Sequence, residues 1–322
     1  MKKVVIAGLI IILLMTCTIL YYFLSKYKVS EINIVTDTQS EIIAPGESIS
    51  YAVHCLYNNK LGKEKEEEYI PQIDVDSSVT VLVNEGCVRV DEDALTGEEI
   101  KISVSYLSDD AQASESYSYI VKYSLQDSID DNGVILDPTR TDVLVTKSRS
   151  LPKDYVPQDL VKVNVEFRQS NNTVKQMRSD AAEAVEELFA AAKKAGYVLY
   201  GVSGYRPYSM QNRIYNSYVS SKGLSYAQRI SAQPGKSEHQ TGLAMDISCS
   251  SITYLGQDFG DTAEGKWVAE NAYKYGLIIR YPEGKENITG YMYEPWHLRY
   301  VGVTLAKKIY ESGLTFDEYM LQ

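Results

Sequence analysis

Apolar and polar residues alternate in short runs over the first third of the chain, and then the period changes. Ile32 and Ile34 alternate with polar neighbours. So do Ile49, Tyr51, Val53 and Cys55, then Val79, Val81 and Val83, then Ile102, Val104 and Tyr106, then Tyr117, Tyr119 and Val121. Period-two runs bounded by Gly, Asn, Asp and Ser clusters mark half-buried strands. Their regular spacing predicts a β-sandwich over 29–126. From Val174 the apolar step lengthens to three and four, through Met177, Ala181, Val185, Leu188 and Ala192. This predicts a helix over 173–195, capped by Asn172 or Thr173 and stopped by Gly196. Val198, Tyr200 and Val202 return to alternation and run into Ser203-Gly204-Tyr205-Arg206. Further helices are predicted over 209–221, 262–275, 303–311 and 316–320, with strands over 277–280 and around His297. Helices and strands intermingle without parallel βαβ spacing. The expected class is α+β, a small antiparallel sheet flanked by helices, over 144–322. The polar stretch 127–143 reads as a linker, and Pro152 and Pro157 predict an extended lead-in after it.

The N-terminus carries a different pattern. Lys2 and Lys3 precede an uncharged run from Val4 to Leu24, which ends in Tyr21-Tyr22-Phe23-Leu24-Ser25-Lys26. As a helix that run is about 30 Å long, the thickness of a bilayer's hydrocarbon core. Its aromatic and basic edge predicts an uncleaved transmembrane anchor over 1–28, with the rest of the chain outside the membrane.

Composition narrows the partners. The net charge is −11, with 43 acidic against 32 basic residues. That argues against a nucleic-acid partner, which requires clustered Lys and Arg. The run Lys60 to Glu68 reads as a solvated loop. None of Cys17, Cys55, Cys87 and Cys249 forms a Cys-x-x-Cys pair, so a thiolate metal knuckle is not expected. Cys55 and Cys87 share the β-rich region and are candidates for a disulfide, while Cys249 reads as a small buried side chain.

The candidate chemistry lies in three short segments. In Leu243-Ala244-Met245-Asp246-Ile247 the apolar side chains share one strand face and Asp246 points the other way. In Trp296-His297-Leu298-Arg299-Tyr300, His297 likewise opposes an apolar face. Gly242 lets the chain turn and bring His239 over the strand. Two imidazoles and one carboxylate form a familiar zinc set with an open fourth position for water. The chain has three histidines, and two of them sit here. Glu294 stands three residues before His297, so on a straight strand it would face away. Pro295 predicts a bend that brings both to one side, with Glu294 as the proton acceptor.

These blocks, Ser203-Gly204-Tyr205-Arg206, Ser237-Glu238-His239-Gln240-Thr241-Gly242 with Asp246, and Glu294-Pro295-Trp296-His297, resemble the signature blocks of VanY-type D-alanyl-D-alanine carboxypeptidases. The lead-in from Leu151-Pro152 to Leu160-Val161 is similar to theirs as well, so the resemblance covers roughly 144–310. It implies one zinc per chain held by His239, Asp246 and His297, with Glu294 as catalytic base. It implies that Arg206 stabilises an oxyanion or grips a carboxylate, and that Tyr205, Gln211 and Ser237 face the substrate, a peptidoglycan stem peptide. The expected reaction is removal of the terminal D-alanine. LD-carboxypeptidase or endopeptidase action on the same site, a non-catalytic wall-binding protein, and a membrane-anchored sensor are the alternatives. Residues Val79 to Tyr106 loosely resemble bacterial immunoglobulin-like wall modules, which implies a spacer.

Overall fold

The computed structural model describes residues 15–77, 79–108, 111–168, 171–252 and 254–321. They form two compact units, one running up to 94 with 99–121, the other comprising 95–98 and 122–322.

The first unit is built from two sheets. One contains Lys28–Thr36, Ser48–Asn58, Glu64–Tyr69, Val81–Asn84 and Cys87–Val90, the other Ile42–Ile43, Gln72–Ser77, Glu99–Ser108 and Ala111–Val121. The alternating residues of both, including Ile49, Tyr51, Val53, Ile100, Ile102 and Val104, close on one shared core. Cys55 and Cys87 do not pair; both are free. The register explains why, because Cys87 lies opposite Ser50, five positions along the strand from Cys55. At about 3.3 Å per residue the separation far exceeds disulfide reach.

The second unit carries a four-stranded antiparallel sheet in the order Leu199–Ser203, Ala244–Cys249, Glu294–Tyr300, Leu277–Tyr281. Leu243, Met245, Ile247 and Leu298 pack one face of it against the helix Ser179–Lys194, through Ala181, Val185 and Leu188. Acidic Asp180 in that helix's first turn and Lys193 and Lys194 in its last suit the helix dipole. A smaller cluster joins Ile278, Val301 and Leu144 to the C-terminal helices Val303–Ser312 and Phe316–Leu321.

Two expectations are corrected here, and a third falls mostly outside the described residues. The helix starts at Ser179 rather than 173, because Gln176–Arg178 pairs as a strand with Leu160–Lys162. Carbonyls of Val174 and Gln176 accept the backbone N–H groups of Gly204 and Tyr205, so this segment braces the loop bearing Arg206. A Cβ on Gly204 would lie 2.5 Å from the Gln176 carbonyl oxygen, and only glycine fits. Residues 127–143 do not run free. Ile135, Arg140, Asp142 and Val143 are buried, and Arg140 pairs with Asp142 at 2.9 Å. The expected anchor over Val4–Leu24 falls largely on 1–14, outside the described residues. Its described part, 15–25, is helical and largely exposed. Among the described residues no helix is long and apolar enough to cross a membrane.

Candidate active site

The polar face of the sheet carries the site. Asp246 and His297 are direct cross-strand partners. His239 arrives from the short 3-10 turn Glu238–Thr241, which Gly242 ends in a left-handed conformation, φ +71°. His239 Nε2 lies 3.2 Å from Asp246 Oδ2, and His297 Nδ1 lies 3.1 Å from Asp246 Oδ1. The two rings meet edge to face with centroids 4.9 Å apart. One ligand atom from each of the three residues falls within 4.8 Å of the others, and all three are buried.

Glu294 joins them through a bulge. Ile279 pairs with Leu298, but two positions on Tyr281 pairs with Glu294, four positions back. The two extra residues around Pro295 turn Glu294 toward His297, with Oε2 3.8 Å from Nδ1. The strand is therefore not straight there. Extra residues on one strand commonly re-aim a side chain at a site.

All four residues line a cavity of about 350 Å³, together with Arg206, Gln211 and Ser237. Arg206 Nη2 sits 3.6 Å from Asp246 Oδ2, and its Nε is buried with no partner. Gln211 donates its amide N–H groups to Ser231 Oγ at 3.2 Å and to the Ala232 carbonyl at 2.7 Å. That fixes the amide and leaves Oε1 buried without a partner. Tyr205 is different. It is 5% exposed and does not line the cavity, so the expected substrate contact is corrected: the bracing bond from its N–H to Gln176 seats it in the interior.

Electrostatics separates the titrating groups. Burial pushes Glu294 up to about 7, with Asp246 adding to the rise against the pull of His297 and Arg206. Burial and then Arg206 push His239 down to about 4. Burial also lowers His297, but hydrogen bonds to Asp246 and Glu238 outweigh it and raise the ring to about 9. Burial opposes charge on Asp246, yet the two histidines hold its carboxyl well below the usual range.

Behind these side chains stand groups that the sequence reading did not single out. His239 Nδ1 is 2.8 Å from the Gly204 carbonyl. His297 Nε2 is 3.4 Å from Glu238 Oε2. Glu238 Oε1 accepts from Arg280 Nε at 2.7 Å and Arg299 Nη1 at 2.8 Å. One signal was present: Arg280 interrupts the otherwise apolar strand Leu277–Tyr281, and buried charges are found paired.

Comparison with known proteins agrees with this geometry. The family model described as D-alanyl-D-alanine carboxypeptidase (VanY) matches residues 174–303. The chain is 45% identical over 255 residues to the putative carboxypeptidase YodJ of Bacillus subtilis (strain 168), spanning 75% of this chain and 92% of that one. It is 35% identical over 187 residues to a D-alanyl-D-alanine carboxypeptidase of Enterococcus faecalis (strain ATCC 700802 / V583), spanning 55% and 65%. Among solved structures it is similar to the LdcB LD-carboxypeptidase, with 50% identity and a TM-score of 0.57 over 61% of this chain and 91% of that one. This chain belongs to the VanY-type D-alanyl-D-alanine carboxypeptidase family.

Proposed function

We propose that this chain is a zinc carboxypeptidase that removes the terminal D-alanine from peptidoglycan stem peptides. The observation that carries the reading is the convergence of His239, Asp246 and His297 on one cavity wall with Glu294 beside them. The residues fit the metal. Two nitrogens and one carboxylate suit zinc with a position left open, and each imidazole's rear nitrogen faces an oxygen acceptor, as ligating histidines require. When bound, zinc supplies a Lewis acid that polarises the scissile carbonyl and acidifies a water.

The side chains do the rest. Glu294 takes the proton of the attacking water and returns it to the leaving amine. Arg206 lines the cavity, where its guanidinium stabilises a developing oxyanion or grips the peptide carboxylate. Ser237 lines the same cavity and supplies a hydroxyl to the peptide. Gln211, fixed as an acceptor, takes a peptide N–H. Gln211→Ala should raise KM about tenfold, the loss of one hydrogen bond to substrate, with a smaller change in kcat. Steady-state kinetics on a stem peptide checks it, and an unchanged KM removes Gln211 from substrate contact.

Zinc uptake has its own signature. In the metal-free chain His297 is protonated up to about pH 9, and its Nδ1 must lose that proton to become a ligand. Zinc binding at pH 8, where Glu294 is already largely ionised, should release about one proton, and affinity should fall about tenfold per pH unit from 9 to 7. Calorimetry in buffers of different ionisation enthalpy measures the release. Zinc binding with no proton released would contradict this ligand assignment.

The likeness to the LdcB LD-carboxypeptidase favours a second reading, cleavage of the L,D bond of a tetrapeptide. Incubating the protein with pentapeptide and tetrapeptide stems, with and without chelator, and weighing the products decides between the two. Loss of only the pentapeptide's last residue supports the first reading, and turnover insensitive to chelator sinks both. The uncharged run Val4–Leu24 supports a single-pass membrane anchor, and the stem-peptide chemistry of the site favours placing the catalytic unit outside the cytoplasm. The two sheets closing on a common core support a sandwich of immunoglobulin-like type serving as a spacer to the wall.

A further inference from the structure

Glu238 lies between two residues of the cleft, yet its carboxylate is wholly buried. Oε1 is occupied by Arg280 and Arg299, and Oε2 is directed at the rear of His297. Arg280 also pairs with both oxygens of Asp317 and donates to the Val145 carbonyl. Arg299 donates to the carbonyls of Thr141 and Val143. Burying one carboxylate with two guanidinium groups is a poor way to gain stability, because desolvation consumes most of the attraction. The geometry offers another reason for the cluster. A carboxylate behind a ligating imidazole fixes its tautomer and orientation and makes it a better donor.

We propose that Glu238 is the positioning residue of the metal site, accepting the Nε2–H of His297 so that Nδ1 is its ligand nitrogen, with Arg280 and Arg299 clamping the carboxylate. His239 is set the other way. Its Nδ1–H goes to the neutral Gly204 carbonyl and Nε2 faces Asp246. The two ligands therefore present different nitrogens and rest on different supports. The clamp on Glu238 reaches Thr141, Val143, Val145 and Asp317, all outside the 174–303 stretch matched by the family model. The lead-in and the last helix thus hold a metal ligand in place from behind.

The proposal rests on the zinc reading above, so the full chain's affinity for Zn²⁺ is measured first, by competition with a chromogenic chelator. No binding by the wild type overturns the metal site and this proposal with it. With zinc bound, long-range ¹H–¹⁵N spectra of histidine-labelled protein assign the tautomers, and only three histidines need resolving. The expected result is a proton on Nε2 of His297 and on Nδ1 of His239. A proton on Nδ1 of His297 overturns the proposal, and this needs no variant. Glu238→Gln should then weaken zinc binding 10- to 100-fold. A folded Glu238→Gln variant whose zinc affinity stays within twofold of wild type also overturns it, while leaving the zinc site itself standing.

Discussion

Glu294→Gln should lower kcat for D-alanine release by about 10²–10⁴-fold, with one zinc per chain still bound. The size follows from the loss of a positioned base, and the retention of metal follows from geometry. Glu294 lies outside the set of His239, Asp246 and His297 whose ligand atoms gather within 4.8 Å. It reaches the site from the bulge around Pro295, with its carboxylate 3.8 Å from His297 Nδ1 and facing the cavity. Burial raises it to about 7 in the metal-free chain, close to where a proton acceptor works best at neutral pH. A bound dication favours the carboxylate and keeps the base form populated. Glutamine preserves the shape and removes only the basicity, so KM should move little. Metal content by atomic emission and steady-state kinetics on the same preparation check both halves. If kcat stays within tenfold of wild type, another group takes the proton.

Much of this site is legible in the sequence, because alternation and chemistry coincide there. Asp246 and His297 are the polar members of strands whose other face is apolar, and the sheet pairs them directly. The bulge at Glu294 was legible through Pro295, since proline inside a strand implies an irregularity. The helix boundary was not. Val174 and Met177 continue the apolar spacing of Ser179–Lys194 backwards, and Met177 shares its core, but the backbone there is extended, paired with Leu160–Lys162 and bracing the loop of Arg206. Period alone does not separate the two. The support behind His297 was also hidden. Glu238 sits beside His239 in sequence but serves the other histidine in space, through arginines 42 and 61 positions away. Such a network is a property of tertiary contact. The cysteines repeat the lesson: belonging to one β region said nothing about register, and register places Cys87 opposite Ser50.

The same residue predicts a stability effect of opposite sign. In the metal-free chain, Glu294→Gln should stabilise the catalytic unit by up to about 3 kcal/mol at pH 8 and by almost nothing at pH 4.5. The folded protein holds this carboxyl at about 7 against an ordinary 4.5, because burial disfavours its charge. Between those values the native state binds more protons than the unfolded chain. Stability therefore falls as pH rises from 4.5 through 7, and above that the full cost of a buried carboxylate is present. A neutral glutamine does not carry it. Urea unfolding of chelator-treated wild type and variant at both pH values measures the difference. Tryptophan fluorescence reports on the relevant unit alone, since Trp267 and Trp296 are the chain's two tryptophans and both lie in it. An equal difference at the two pH values would show that shape or packing, not charge, separates the variants. Added zinc should shrink the gain at pH 8, because a neighbouring cation supports the carboxylate that burial opposes. That reversal would tie the instability of the empty site to the same charge that the filled site uses to accept a proton.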